Sequence, residues 1–375
     1  MRSRIFPLCV LVAVVLTLAS CLNSDDDETT TYNDMAVTQF TLGTLNRYVH
    51  TTSSSGADSV YKATVTGSNY PMTIDHLGRE IYNRDSLPLG TDVAHVLCTI
   101  ATRNNGVVYF KAVDSDTLWL YYATDSLDFS NQRLMRVFAT DGSGSRDYTV
   151  SLRVKTVTDR KLLWTEQDAQ ATWPVTDAGR SERAAAQGLA LVGSSSKELF
   201  ALNADKDRLM VSADDGLSWS QETLDADARL LPSVNTACAT WPFEYNDNAD
   251  YTLLVGESEA VDSCLVVWRK IAEYDSPAGQ PTGKWAYMPL AADNPYYLPH
   301  SVQVSLAYFD ETVLAFASDG NTYQSRDKGI TWKPASAYTM PDGVSGRVEV
   351  AVGTDGRLWL RCPANGRVWS GYMQK

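Results

Sequence analysis

The residues of this chain that could do chemistry are few in kind. One is Cys21. It follows Leu18-Ala19-Ser20 at the end of an apolar run from Ile5 to Leu18, with Arg2 and Arg4 ahead of it. The run is too short and too early for a spanning helix and has the order of a secretion leader. A second group is Tyr296, Tyr297 and His300 in the segment Asn294-Pro295-Tyr296-Tyr297-Leu298-Pro299-His300. Tyrosine rings stack on sugar faces while their hydroxyls bond to sugar or water, so these three are the candidate ligand-binding residues. The competing reading is that the two rings pack between structural units and the prolines stiffen the loop. Trp241, Phe243 and Tyr245 form a second aromatic cluster, which ranks below the first.

Catalytic signatures are sparse. Glycoside hydrolysis needs two carboxylates about 5–10 Å apart. With 45 acidic residues some pair is always close, and spacing cannot select it. The chain has no G-x-S-x-G elbow, no H-E-x-x-H and no phosphate-binding glycine loop. Of His50, His76, His95 and His300 only the last falls in the C-terminal half, which argues against a histidine-rich metal site there. Asp247-Asn248-Ala249-Asp250 and Asp114-Ser115-Asp116 offer oxygen ligands, but lack the glycine and distal glutamate of a calcium loop. They read as solvated turns. No catalytic residue, metal or cofactor is assigned, and a binding role is expected ahead of an enzymatic one.

The elements that must hold these residues are strands. Hydrophobic residues make up 44% of the chain, ordinary for globular protein, and after the leader a polar, acidic stretch reads as a tether. From Ala36 the pattern turns to short alternating segments, such as Val60–Val65, Val107–Phe110, Leu118–Tyr122, Leu134–Phe138 and Tyr148–Val154. Period-two alternation between turn residues specifies antiparallel strands. The net charge of −13 repels phosphate backbones and excludes nucleic acid as the expected partner. Cys98, Cys238, Cys264 and Cys362 show no CxxC spacing. Cys238 and Cys264 fall on the first and third strands of one expected sheet. Two strand spacings of about 4.8 Å exceed disulfide reach, and free buried thiols are the expectation.

The C-terminal half repeats. Ser212-Ala213-Asp214-Asp215-Gly216-Leu217-Ser218-Trp219 and Ser325-Arg326-Asp327-Lys328-Gly329-Ile330-Thr331-Trp332 share S-x-D-x-G-x-[S/T]-W. Ser and Asp can satisfy the backbone of a tight turn, Gly supplies positive φ, and Trp buries a large ring. Aligned on that unit, Trp268-Arg269 and Trp369-Ser370 mark two weaker copies, each with an apolar pair of strands upstream. Periods near 45 residues suit four-stranded blades. The last copy lacks a fourth strand, and Leu162-Leu163-Trp164-Thr165 has nothing before it. Pairing the two would close a ring. The expectation is an all-β chain in which a small propeller of about four blades is closed by an N-terminal outer strand. Five is the alternative if residues 165–186 hold strands.

Several resemblances extend this reading. Ala19-Ser20-Cys21 resembles a lipobox, which implies acylation of Cys21. Ser24-Asp25-Asp26-Asp27-Glu28 resembles the export tag of Bacteroidetes-type surface lipoproteins. Asp147-Tyr148-Thr149-Val150 resembles the last strand of Ig-like domains, which implies an Ig-like β-sandwich ahead of the propeller. The repeated turn resembles the Asp-box of sialidase-like propellers. It carries the fold, with Ser212, Asp214, Gly216, Trp219, Ser325, Asp327, Gly329 and Trp332 in structural roles, but not the sialidase arginine cluster. With Tyr70-Pro71-Met72-Thr73-Ile74-Asp75 and Glu80-Ile81-Tyr82-Asn83-Arg84-Asp85-Ser86-Leu87-Pro88, the chain resembles an uncharacterised lipoprotein family of gut Bacteroidetes-type bacteria. The resulting layout is a signal peptide over 1–20, an acidic tether over 21–35, the sandwich over 36–157 and the propeller over 158–375. The function expected is a lipid-anchored outer-membrane protein facing the cell exterior that binds glycans or glycoproteins without catalysis. A glycan-degrading hydrolase and a scaffold subunit of an outer-membrane complex are the alternatives.

Overall fold

The computed structural model describes residues 34–374, apart from 53–55, 157–159, 169–172, 175–178, 245, 277–280, 290–294, 301 and 345. Cys21, Tyr245 and Asn294 lie outside the described residues. No helix among those described is long and apolar enough to cross a membrane.

Among the described residues the N-terminal domain contains ten strands: β1 (Val37–Leu42), β2 (Thr44–Thr52), β3 (Asp58–Thr66), β4 (Met72–Asp75), β5 (Glu80–Asn83), β6 (Cys98–Thr102), β7 (Val107–Lys111), β8 (Leu118–Leu120), β9 (Arg133–Phe138) and β10 (Ser145–Ser151). Six form one sheet in the order β4-β5-β10-β9-β7-β8, while β1-β6 and β2-β3 are separate two-stranded ribbons. The sheet is antiparallel except where β10 lies parallel to β5. Strict alternation along β9 turns Met135 and Val137 inward. They join Phe40, Phe110, Phe129, Tyr148 and Val150 in a single core. At the β4–β5 turn Asp75 and Glu80 are both buried, an arrangement that needs partners.

Among the described residues the C-terminal half holds four four-stranded sheets. The first contains β12 (Ala190–Ser194), β13 (Leu199–Leu202), β14 (Leu209–Ser212) and β15 (Ser220–Gln221). The second contains β16 (Val234–Pro242), β17 (Ala249–Ser258), β18 (Val261–Glu273) and β19 (Ala286–Tyr287). The third contains β20 (Val304–Phe309), β21 (Thr312–Ala317), β22 (Thr322–Ser325) and β23 (Lys333–Pro334). The fourth joins β24 (Glu349–Val352), β25 (Leu358–Arg361) and β26 (Val368–Met373) to β11 (Leu162–Gln167). Here β11 pairs antiparallel with β26 from Leu162↔Met373 to Gln167↔Val368, so residues from the two ends of this half share a sheet. Between β11 and β12 the described residues form the short helix α1 (Arg180–Ala185) and no strand.

Apolar cores lie between successive sheets. Leu254 and Trp268 pack with Phe200 and Leu209 of the first sheet. Leu253 and Val255 point the other way and pack with Val313 and Ala315 of the third. A strand covered on both faces reads as a near-continuous apolar run, and Thr312–Ala317, buried at all six positions, is apolar at every one after Thr312. Cys98, Cys238, Cys264 and Cys362 are unpaired in this structure, with Cys238 and Cys264 on β16 and β18.

The two repeated turns have the same wiring. Ser212 Oγ donates to Asp214 Oδ1 at 2.7 Å and accepts from the Gly216 amide at 2.8 Å, and Ser218 donates to Asp214 through both its amide and its hydroxyl. Ser325, Asp327, Gly329 and Thr331 repeat these bonds. Gly216 and Gly329 have φ of 89° and 94°, which favours glycine. Hydrogen bonds from Ser218 and Ser212 hold the exposed Asp214 carboxyl at about 2. The copies differ in burial: Trp332 is buried and Trp219 only half-buried.

That difference is measurable. Trp332→Ala is expected to destabilise the protein by roughly 3–5 kcal/mol, the usual cost of emptying a buried tryptophan site. Trp219→Ala should cost less than half as much. Urea unfolding of both variants checks it, and equal losses would contradict the packing described.

Candidate functional site

The innermost strands β12, β16, β20 and β24 surround a cavity of about 510 Å³. It is lined by Val192–Ser194, Asn235–Cys238, Gln303–Leu306 and Arg347–Val350. On β16, β20 and β24 these are the leading portions, while on β12 they are the last three residues, so on three of the four strands the cavity lies toward the end where the strand begins. β12 and β16 approach closely: a Cβ on Gly193 would lie 2.3 Å from Cys238 Sγ. Burial pushes the Cys238 thiol up to about 11, so it is a neutral packing group at physiological pH.

The mouth is polar. Asn235 sits at a register break in β16 with φ of 52°, a left-handed conformation that asparagine tolerates better than most side chains. Gln303 Nε2 donates to Asn235 Oδ1 at 2.7 Å, and Asn235 Nδ2 donates to Glu257 Oε1 at 2.7 Å. His300 Nε2 lies 3.9 Å from the other Glu257 oxygen. Arg347 is exposed on the opposite side of the opening. Glu349 is the one carboxylate among the cavity's lining residues, and Arg361 grips it. The Arg361 guanidinium in turn lies 4.7 Å from the centre of the Trp173 ring.

The structure separates the three residues grouped by sequence. His300 reaches the mouth network. Tyr296 instead lies against the second repeated turn. The Trp332 amide donates to its carbonyl at 2.8 Å, and Lys333 Nζ lies 5.2 Å over its ring. Tyr297, half-buried, precedes Leu298, whose carbonyl accepts from the Leu265 amide. The segment is thus divided: its Tyr296 end lies beside the second repeated turn, while His300 reaches the mouth. An amide leaving a tight turn needs an acceptor, and the 295–297 backbone supplies it.

The N-terminal domain docks elsewhere, on β17, β18 and the second repeated turn. Asp75 and Arg269 are almost wholly buried, with Arg269 Nη1 2.8 Å from Asp75 Oδ2 and Nη2 3.1 Å from Oδ1. The Tyr251 hydroxyl donates to Asp75 at 2.9 Å. Burial raises the Asp75 carboxyl, but Arg269 and the hydrogen bonds outweigh it and hold it at about 2. Beside this pair Lys328 of the second repeated turn bonds the buried Glu80. Its Nζ also lies 5.1 Å from the Tyr251 ring centre and 5.7 Å from that of Tyr82. Burial pushes Glu80 up despite Lys328. Trp241 stacks on Tyr251 and Tyr308 at 5.0 and 4.6 Å, so the second aromatic cluster belongs to the domain interface. Sequence reasoning missed this interface. Its one local sign is an arginine, Arg269, where two aligned copies have the cap serines Ser212 and Ser325.

Asp247-Asn248-Ala249-Asp250 is a bonded turn in which Asp250 accepts from the Ser196 amide and the Tyr274 hydroxyl. Among the described residues no three His, Cys, Asp or Glu side chains gather as a metal site.

Two family profiles match the chain. One, described as the DUF6242 beta propeller domain, spans residues 140–375. The other, the DUF6242 N-terminal domain, a domain of unknown function, spans residues 40–152. Among solved structures the chain is similar to YCF48 from Cyanidioschyzon merolae at 15% identity, with 53% of each chain covered and a TM-score of 0.27. It is also similar to BamB from Moraxella catarrhalis at 10% identity, covering 92% of this chain and 96% of that one, with a TM-score of 0.23. A third is the alpha-L-arabinanase of Penicillium chrysogenum complexed with arabinobiose, at 10% identity, 92% and 98% coverage and a TM-score of 0.27. The chain spans about half the length of the YCF48 structure, and scores this low carry no argument about ligand or site. No curated protein matches the sequence.

The buried pair makes a pH prediction. A carboxyl held at about 2 rather than 3.8 contributes on the order of 2 kcal/mol above its unfolded pKa, and this is lost as pH falls from about 4 to about 2. Glu80, shifted upward, has the opposite sign and loses nothing on mild acidification. The stability gap between wild type and Asp75→Asn in urea is therefore expected to shrink by about 2 kcal/mol between pH 6 and pH 2.5. At neutral pH, Arg269→Ala should cost roughly 3–5 kcal/mol, because it strands a buried charge. A pH-independent gap would contradict the assignment.

Proposed function

This chain belongs to the DUF6242 family, and we propose that it is a non-catalytic binding protein whose ligand enters the mouth of the propeller's central channel. The observation that carries this reading is the division of labour between the two faces. Buried ion pairs commit the Asp-box face to the N-terminal domain, and the opposite end of the channel presents Asn235, Gln303, Arg347 and the His300–Glu257 pair. Largely preformed openings with a few convergent polar groups are where ligands bind. We read the four sheets as four blades closed by β11, and the N-terminal domain as an Ig-like spacer. With Cys21 acylated and the acidic tag behind it, the mouth would face outward from the outer membrane. Hydroxyl-rich glycans or glycoproteins suit a mouth built of amides, a histidine and an arginine. Hydrolysis by a carboxylate pair finds no support in a cavity whose one carboxylate, Glu349, is held by Arg361.

Two experiments test this. On an array of plant, mucin and bacterial glycans the protein should bind at least one class. Gln303→Ala and Arg347→Ala should each weaken that binding about tenfold, near 1.4 kcal/mol, while Tyr296→Ala leaves it intact. No binding on the array, or binding indifferent to both mouth variants, would refute the reading. Separately, Cys21→Ala should abolish incorporation of labelled palmitate and release the protein from the membrane fraction. Retention of label would exclude Cys21 as the acylated residue.

A further inference from the structure

A second candidate site lies away from the channel, at the junction of the two domains. Two cavities of about 780 and 350 Å³ adjoin there and share Ser86, Lys155, Gln324 and Arg326. The chain as a whole carries a net charge of −13, yet this groove has the opposite sign. Arg47, Arg153, Lys155, Arg160, Lys161 and Arg326 line it against Asp85, Asp310 and Glu311.

Two of those carboxylates are already engaged. Asp310 pairs with Arg160 at 2.7 Å and accepts from the Tyr338 hydroxyl, and Asp85 pairs with Lys333 at 2.9 Å. Among the described residues, Arg160 is the only one of the six cations in an ion pair with a carboxylate. Arg153 donates to the Arg326 carbonyl and lies over the Tyr82 ring, and Arg326 reaches the Ser86 hydroxyl at 3.3 Å. These contacts orient the two guanidiniums without neutralising them. Gln324 Oε1, in the same wall, is buried with no hydrogen-bond partner. An acidic protein that collects unneutralised cations in one groove has the electrostatics of an anion site.

The geometry points to an oligosaccharide bearing sulfate or carboxylate groups as the ligand of this groove. The cavity volumes lie in the range of small-ligand sites, and the hydroxyl and amide groups of Ser86, Gln324 and Ser336 match sugar hydroxyls between the anionic substituents. A long polyanion is disfavoured because the surrounding surface repels it. The site is independent of the channel mouth, so either proposal can fail without the other.

Titration calorimetry on the full chain at 20 and 200 mM NaCl tests it. The probes are a heparin tetrasaccharide, trigalacturonate, neutral maltotetraose and an eight-nucleotide single-stranded DNA. Binding of either acidic sugar is expected, several-fold weaker at the higher salt. Heparin alone would identify sulfate as the recognised group, and galacturonate alone would identify carboxylate. Lys155→Glu, at an exposed position, and Arg326→Gln should each weaken binding at least tenfold. Thermal melting of both variants verifies their fold, and Gln303→Ala at the mouth should change nothing. Absence of binding by both acidic sugars, DNA or maltotetraose binding as tightly, sensitivity to Gln303→Ala, or indifference to a folded Lys155→Glu variant would each overturn the assignment.

Discussion

The architecture turns on one buried ion pair, Arg269 with Asp75. Both side chains are almost wholly buried, and a charge buried without its partner is far costlier than one left in solvent. The two domains therefore have a single satisfactory relative placement at this point. The Tyr251 hydroxyl, bonded to both members, fixes the angle of approach. The pair also explains a departure from the repeat. In two sheets the third strand ends on a serine that caps its own turn, Ser212 or Ser325. In the second sheet Arg269 stands there. It cannot cap a tight turn, and β18 runs on to Glu273 alongside a lengthened β17. Loss of a local cap frees a long cation to reach out of its own sheet.

Closing one face determines what the other face can be. Of the inner strands, β16 and β20 approach the N-terminal domain at their trailing ends, where Trp241 stacks on Tyr308 and on Tyr251, whose hydroxyl bonds Asp75. The leading ends of β16, β20 and β24 remain as the mouth of the cavity. Gly193 leaves the space that Cys238 fills in the cavity wall, and the left-handed Asn235 turns an amide into the Gln303–Glu257 chain. β16 combines a register shift with a left-handed residue at this end, and a bulge next to a functional opening commonly re-aims a side chain. The interior packing between sheets is regular by comparison.

What could be read from the residues alone follows range. The Ser–Asp–Gly–Thr turns are closed by bonds spanning four residues or fewer, so their whole chemistry sits in one short stretch of sequence. The apolar runs of β17 and β21 announce burial on both faces for the same reason. The domain interface was illegible because its partners lie far apart: Asp75 and Arg269 are separated by 194 positions, Glu80 and Lys328 by 248. Nothing local distinguishes Asp75 or Glu80 from a surface carboxylate until the fold buries them. Tyr296 and His300 stand four positions apart in one segment, and that proximity alone groups them by sequence. A loop that first meets the neighbouring sheet and then returns to its own separates them.

The two repeated turns show how one local motif serves different long-range ends. Its fourth residue is held in the left-handed region in both copies, Asp215 at φ 61° and Lys328 at φ 54°. The wiring around it consumes the serine, the aspartate and the glycine amide, but leaves the fourth side chain free to act outside the turn. In the first copy that side chain is acidic, and Arg180 and Arg183 of α1 bind it. In the second it is basic, and Glu80 of the other domain binds it. The same backbone position is thus a docking handle whose charge selects what packs against each sheet. The turn's hydrogen bonds do not depend on that charge, so its sign can differ between copies without disturbing the turn. This separates the residues that make the fold from those that decide what the fold is joined to, and it accounts for a near-invariant turn carrying Asp215 in one sheet and Lys328 in another.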